Sequence, residues 1–192
     1  MAMVQPTWGE VVEMPEATTG EDLLRLPDDG YCYELYEGVV VRTMTSPAHG
    51  VVCQRLGFAL SLYAQATGAI RQDQIAQNAL FDLTLPGAAK RTVLAPDLVI
   101  MRPSTIPDWH VPHTSPLIAV EIVSGSQTLA ELTLKAQAYR QAGVDEVWIL
   151  DYHTRTLHIW NAQGTSALND THTLTSALLP GFSVAVRSLL DG

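Results

Sequence analysis

The chain has 192 residues, of which 47% are hydrophobic and 16% charged, which predicts one well-cored globular domain over residues 1–192 and excludes a disordered protein. The formal net charge is −9, from 11 basic and 20 acidic residues, which argues against a protein that holds nucleic acid by charge alone. No apolar run is long enough to cross a bilayer, and no basic start with an apolar stretch opens the chain, so we expect a cytoplasmic protein with no membrane partner.

The N-terminal half is predicted to hold a short helix, a hairpin and one long helix. In chain order we expect an irregular, acidic arm over residues 1–18, with a strand-like arm as the alternative, and then a helix from the capping box Thr19–Asp22 through Leu26. A hairpin of strands 31–36 and 39–44 follows, and then a helix that begins at Ser46-Pro47 and ends at Gly68.

The C-terminal half is predicted to alternate strands with one further long helix. The expected elements are strands 75–83 and 93–101, a proline-rich loop over 102–116, strand 117–123, helix 128–142, strands 147–150 and 156–160, and a tail with one strand and a short terminal helix. Strand, helix and strand from 117 to 150 form a β-α-β unit with parallel strands. The expected fold is therefore α/β, with a mixed central β-sheet flanked by helices.

Two acidic residues interrupt otherwise apolar strands. Asp97 lies within Val93–Met101 and Glu121 within Leu117–Val123. An ionised carboxylate inside a sheet is costly unless it is paired, neutralised or bound to a metal ion. Either acid alone is best explained as a turn cap or an arginine partner, but two such acids on core strands favour a divalent cation between them.

A lysine on the following helix can complete this site. Val123 shares a strand face with Glu121, and Lys135 is one of only two lysines in the chain. Its long stem can reach back over Val123 toward Glu121. The alternative, at least as well supported by spacing alone, is a solvated Lys135 paired with Glu131 one helical turn away.

Several segments taken together resemble a known family. They are Tyr33-Glu-Leu-Tyr-Glu-Gly38, Ser46-Pro-Ala-His49, Ala95-Pro-Asp-Leu-Val99, Val120-Glu-Ile-Val-Ser124, and Lys135 with Tyr139, Gly143-Val144 and Val147-Trp148. In order and spacing they resemble a large bacterial family of restriction-type endonucleases in the PD-(D/E)XK superfamily, over roughly residues 20 to 190. In that family the lysine has moved from the strand to the following helix, as here. The chain departs from the family pattern at Ser124-Gly-Ser126 and at Ala130 or Glu131.

The resemblance implies hydrolysis of DNA phosphodiester bonds with Mg²⁺, for which Mn²⁺ can substitute. Asp97, Glu121 and the Ile122 carbonyl would hold the metal, and Lys135 would orient the attacking water or stabilise the phosphate. Glu34 is a further candidate metal ligand. Alternatively, it is a plain hairpin residue that pairs with Arg42.

Further residues are expected to have accessory or binding roles. His49 and Tyr139 are candidate accessory residues of the site. Alternatively, His49 merely lies in the first turn of its helix, and Tyr139 only packs against its neighbours. DNA would be gripped through its phosphates by the scattered arginines 42, 55, 71 and 102. A nuclease that cuts both strands commonly pairs two sites by two-fold symmetry, which suggests a homodimer.

Two other functions are compatible with these residues. A non-catalytic binding or scaffold protein with the nuclease fold would fit the acidic net charge and the departure at Gly125. A glycosidase-like hydrolase would use the two carboxylates as acid and base, although clustered aromatic residues for sugar stacking are lacking.

Overall fold

A computed structural model of the protein describes residues 6–103, 110–125 and 127–191. Residues 1–5 of the predicted arm, the middle of the predicted proline-rich loop and Ser126 therefore lie outside the described residues. The helices are α1 (Gly20–Leu23), α2 (Pro47–Thr67), α3 (Leu129–Gln141) and α4 (Val186–Leu190). The strands are β1 (Glu10–Val12), β2 (Cys32–Tyr36), β3 (Val39–Thr43), β4 (Ile75–Ala76), β5 (Phe81–Asp82), β6 (Val93–Leu94), β7 (Leu98–Ile100), β8 (Ile118–Ile122), β9 (Glu146–Asp151), β10 (Thr156–Asn161), β11 (Gly164–Asn169), β12 (Thr173–Ser176) and β13 (Leu179–Ala185).

The strands form a mixed sheet and two antiparallel ones. The mixed sheet has the order β11-β10-β9-β8-β7-β4. Its strands β8 and β9 are parallel and are joined through α3, as the β-α-β pattern predicts, while the other neighbouring pairs are antiparallel. A five-stranded sheet has the order β1-β3-β2-β6-β5, and β12 pairs with β13. The predicted α/β fold with a mixed central sheet is confirmed.

Two predicted strands are each divided between two sheets. The prediction of one strand over 75–83 is wrong, because β4 belongs to the mixed sheet and β5 to the five-stranded one. Between them Asn78 adopts a left-handed backbone with φ 49°, which no continuous strand contains. Strand 93–101 divides in the same way at Pro96-Asp97, into β6 and β7. The two crossings lie against each other, because the Asn78 N–H donates to the Asp97 carbonyl at 3.4 Å.

The two ends of the chain are more ordered than predicted. The arm contributes β1, which pairs with β3, so the described part of residues 1–18 is not simply irregular. The tail contains β11, β12 and β13 before α4, where a single strand was expected. The side chains of β11 are mostly small or polar, and nearly all of them are exposed. Hydrophobic periodicity therefore gives little signal there.

Helices cover both faces of the mixed sheet. On one face, Leu56 and Leu60 of α2 belong to the same buried cluster as Val120 and Trp148. On the other face, Leu132 and Ala136 of α3 pack in a second cluster. Burial of each large aliphatic side chain stabilises the fold by about 1.5–3 kcal/mol, so these faces fix both helices against the strands. Within the described residues, we find no helix with the length and apolar character needed to span a membrane.

Candidate active site

Lys135 lies between two buried carboxylates. Its Nζ is 2.8 Å from Glu34 Oε1 and 2.8 Å from Glu121 Oε1. Glu34 is 1% exposed, and Glu121 and Lys135 are each 3% exposed. The helix that carries Lys135 begins at Thr128, whose side chain accepts from Glu131 N while Glu131 caps Thr128 in return. Lys135 therefore points to Glu121 as predicted, and Glu131 is engaged in the helix cap.

Burial and neighbouring charges shift the pKa values of this cluster. Burial raises the pKa of Glu121 to about 8, in opposition to the favourable field of Lys135. Burial lowers the pKa of Lys135, but the charges of Glu121 and Glu34 outweigh it and raise that pKa above its usual value. Tyr139 donates from its hydroxyl to Glu121 Oε1 at 2.6 Å. The lysine ammonium is thus held charged between the two carboxyl groups.

Asp97 is fixed by two donors where the chain crosses between sheets. Its Oδ2 accepts from Ile122 N at 2.7 Å and lies 2.9 Å from His49 Nε2. His49 is buried in the first turn of α2, where its backbone N–H donates to Ser46 Oγ. The predicted N-cap at Ser46 therefore places His49 against Asp97.

Asp97, Glu121, Lys135 and His49 line one small pocket of about 20 Å³. This volume is close to that of a single water-sized group. Among the described residues, no set of three or more His, Cys, Asp and Glu side chains converges closely enough to hold a metal ion alone. Two carboxylates and a main-chain carbonyl are nevertheless a donor set that suits a hard cation. The N–H of Ile122 points to Asp97, and a strand residue directs its carbonyl to the same side as its N–H, so these residues fit a divalent ion.

The structure brings together every side chain that the sequence nominated for the site. Glu34 does not pair with Arg42, which instead binds Glu10 at 2.9 Å. Both Glu34 oxygens have partners within the site: Oε1 accepts from Ala95 N at 2.6 Å, and Oε2 accepts from Trp8 Nε1 at 3.1 Å. The ligand roles assigned to these residues stay predictions.

The sequence patterns did not assign three residues of this region to the site. Trp8 reaches Glu34 from the arm, and Gln127 donates from Nε2 to the Trp8 carbonyl at 2.7 Å. Gln127 also accepts from the Ser124 hydroxyl at 2.9 Å, and both residues line the pocket. A tryptophan in a polar arm signals burial, but its partner more than twenty residues away cannot be deduced from the sequence.

The four arginines expected to grip DNA have partners within the chain. Arg42 binds Glu10, Arg71 binds Asp73, and Arg102 binds Asp145. Arg55 donates to the Leu189 carbonyl at 3.3 Å. Their spacing gave no sign of these contacts, which reduce the positive charge available to a phosphate.

A mixed sheet with helices on both faces, with Asp97 directly before β7, Glu121 on β8 and Lys135 on the helix that joins β8 to β9, matches the restriction-endonuclease-like fold that the resemblance implies. The chain belongs to the Uma2 family, described as "Putative restriction endonuclease", whose sequence profile matches residues 21–187. A search of curated proteins gave no match. Among solved structures, the chain is similar to a protein from Anabaena variabilis described as "a putative nuclease belonging to DUF820". The two are 15% identical with a TM-score of 0.72, over 89% of this chain and 96% of the other, a likeness in fold.

Proposed function

We propose that this protein is a Mg²⁺-dependent endonuclease that hydrolyses phosphodiester bonds in DNA. The observation that carries the proposal is the convergence of Asp97, Glu121 and Lys135 on one small pocket. Two carboxylates, which repel each other in a buried site, are expected where a cation is to be bound. Membership of a family described as restriction endonucleases supports the same reaction.

Each site residue has a role that follows from its contacts. Asp97, Glu121 and the Ile122 carbonyl would hold the ion, which supplies a water of lowered pKa and shields the charge of the phosphate. Lys135, which its neighbours keep protonated, would donate hydrogen bonds to the phosphate oxygens as negative charge develops. His49 contacts Asp97 Oδ2 at 2.9 Å and would so keep the other carboxylate oxygen for the ion.

Glu34 is assigned to positioning Lys135 rather than to binding metal. Its Oε1 already accepts from both Lys135 and Ala95 N, and its Oε2 from Trp8. A carboxylate with these three donors would have to release them to bind an ion, at a cost of roughly 1–3 kcal/mol for each donor left unsatisfied.

The test is incubation of the purified protein with plasmid and with single-stranded DNA, in Mg²⁺, Mn²⁺ or EDTA. We expect cleavage with either metal and none in EDTA. Asp97→Asn, Glu121→Gln and Lys135→Met should each lower the cleavage rate by at least about a hundredfold, a size typical of lost charge stabilisation. The control Glu16→Gln removes an exposed carboxylate of the arm and should cut at the wild-type rate.

Two outcomes would contradict the proposal. Cleavage that persists in EDTA, or in all three site variants, would point to a contaminating nuclease. Metal binding without cleavage of any DNA would instead favour the non-catalytic nuclease-fold binding or scaffold protein, for which the acidic net charge of −9 is the supporting observation.

We further propose a homodimer, because cutting both strands of a duplex calls for two sites related by two-fold symmetry. Light scattering coupled to size exclusion should give twice the chain mass of 20.9 kDa. A monomer that nicks plasmid without linearising it would show that one site acts on one strand.

A further inference from the structure

Two larger recesses adjoin the pocket that holds the site. The first, of about 390 Å³, shares Cys32, Thr43, Thr45 and Ala95 with that pocket. The second, of about 410 Å³, shares Thr43, Met44, Ser124 and Gln127 with it. Because each recess shares wall residues with the pocket, the three adjoin one another, and we call them together the site groove. Each recess has the volume of a typical small-ligand pocket.

The described walls of the site groove offer little charge to a phosphate backbone. They carry four carboxylates, those of Glu10, Asp28, Asp97 and Glu121. The cations on these walls are Arg42 and Lys135, and both form ion pairs with carboxylates. Duplex binding by phosphate contacts depends on free Lys and Arg side chains. The groove walls therefore suit a ligand that is recognised mainly by another part of its structure.

Apolar and aromatic side chains on the walls supply such a recognition surface. Leu24 is 55% exposed in the first recess and Met44 is 58% exposed in the second. Tyr31 is half-buried and lines both recesses. The Arg42 guanidinium lies over one face of the Tyr31 ring, 4.3 Å from its centre, so the two side chains form one stacked pair. Flat aromatic and guanidinium groups are the platforms on which unpaired bases stack.

The depth of the site also favours an unpaired strand. Glu121 and Lys135 are each 3% exposed, so a phosphate can reach them only through the small pocket that they line. A single strand bends its backbone readily, whereas a duplex must be distorted or opened to do so.

From this combination we propose that the site groove binds an unpaired nucleic-acid strand, with bases in the two recesses and Tyr31 as a stacking platform beside the scissile phosphate. The inference rests on the proposed function for the reaction itself and adds the substrate class. It assigns preference for unpaired strands to Tyr31, a residue outside the metal and lysine cluster.

Binding is measured first, apart from cleavage. Wild-type protein in EDTA is titrated into a fluorescein-labelled 20-nucleotide DNA strand, the same strand as a duplex, and the same sequence as RNA. We expect the unpaired DNA to bind at least about tenfold more tightly than the duplex. The logarithm of its affinity should fall with the logarithm of salt concentration with a slope no steeper than about −2, since a slope of about −0.7 accompanies each phosphate contact. The RNA arm shows whether the strand may carry 2′-hydroxyls.

Variants of Tyr31 locate the platform. Tyr31→Leu should weaken binding of the unpaired strand by about tenfold, the size expected from loss of one stacked base. Tyr31→Phe should retain wild-type binding because the ring remains. Phe58→Leu changes an exposed aromatic residue on α2 that is outside the groove walls, and it should have no effect. Thermal melts of the three variants show whether each is folded.

The outcomes separate this inference from the proposed function. The site-groove inference would be overturned by tighter binding of duplex, by a salt dependence with a slope of about −5 or steeper, or by an equal loss of affinity in Tyr31→Phe and Tyr31→Leu. In each of these cases, Mg²⁺-dependent cutting of duplex would still support the proposed function. Selective binding of the unpaired strand with no cleavage in any metal would uphold the groove and overturn the nuclease.

Discussion

At the scale of single residues, Lys135 is where the burial of charge costs this fold the most free energy. Its ammonium lies 2.8 Å from two carboxylates and all three groups are buried. Removal of the cation from this cluster leaves its two carboxylates uncompensated, which is far costlier than loss of a surface pair. Lys135 thus couples the stability of the metal-free protein to the chemistry proposed for the site.

Lys135→Met is expected to lower the free energy of unfolding by about 3–5 kcal/mol. Methionine keeps much of the apolar stem but leaves Glu34 and Glu121 without their cation. Urea denaturation in EDTA at pH 8 measures the effect. The control Arg25→Met removes an exposed cation that is paired with Asp22, and it should change stability by less than about 1 kcal/mol. Equal stability of Lys135→Met and wild type would mean that the ammonium is not buried between these carboxylates.

The titration of Glu121 gives a second prediction at this scale. The unfolded chain releases the Glu121 proton near pH 4.5, whereas burial moves the folded pKa to about 8. Between these pH values the folded state keeps a proton that the unfolded state has lost, so this contribution to stability falls as pH rises and levels off above about 8. In Glu121→Gln that contribution is absent.

Urea denaturation in EDTA from pH 5 to pH 8.5 tests this prediction. The stability of wild type relative to Glu121→Gln should fall across the range by about 1–3 kcal/mol. A difference that stays constant with pH would show that Glu121 titrates near its ordinary pKa, and that its burial is less complete than described.

At the scale of elements, α3 is important because it carries both Lys135 and Tyr139 to Glu121. The helix begins at a capping box, in which the Thr128 hydroxyl accepts from Glu131 N and the Glu131 carboxylate accepts from Thr128 N at 2.7 Å. The box satisfies donors that would otherwise be unpaired at the helix start. The cap fixes where the helix begins and, through its 13 residues, which face Lys135 occupies.

Thr128→Ala should therefore lower stability by about 1 kcal/mol. Thr133 is a matched control on the same helix, because its hydroxyl donates to the Leu129 carbonyl, a back-bond that adds little to a helix. Thr133→Ala should change stability by less than about 0.5 kcal/mol. Thermal melts of both variants measure these changes in stability. A larger loss of stability in Thr133→Ala than in Thr128→Ala would contradict the capping argument.

These helices are also where the sequence was most informative. Ser46-Pro47 and Gly68 mark the ends of α2, and Gly68 has the left-handed φ of 65° that glycine readily adopts. Such signals lie within a few residues of the structure they specify. The partition of strands between sheets could not be predicted, because β4 and β5 differ only in partners far along the chain.

The same contrast applies to the site. Asp97 and Glu121 were found because a charge inside an apolar strand is unusual in itself. The environment of Glu34 was not found, because its contacts to Trp8, Ala95 and Lys135 span 26, 61 and about a hundred positions. The alternative pairing with Arg42 is excluded by strand register, because Tyr33 faces Arg42 across the hairpin and Glu34 points to the other face of the strand. Arg42 binds Glu10 of β1 instead.

At the scale of the whole molecule, metal binding should appear as a change in stability. An ion that binds only the folded state stabilises it by mass action, by about 2.7 kcal/mol at a hundred times the dissociation constant. The two proposed carboxylate ligands differ in their contacts without metal, so their variants should behave differently. Asp97 accepts from Ile122 N and His49, whereas Glu121 is a desolvated acid whose raised pKa favours the neutral form.

Thermal melts of wild type, Asp97→Asn and Glu121→Gln, in EDTA and in excess Mn²⁺, resolve these contributions. In EDTA at pH 8, Asp97→Asn should be less stable than wild type by about 1 kcal/mol, because asparagine cannot serve both donors as well. Glu121→Gln should be as stable or more stable, because glutamine is neutral without taking up a proton. Mn²⁺ should raise the melting temperature of wild type and of neither variant. If Mn²⁺ raises that of Asp97→Asn as much as that of wild type, the ion binds elsewhere, and Asp97 serves only to join β8 to the start of α2.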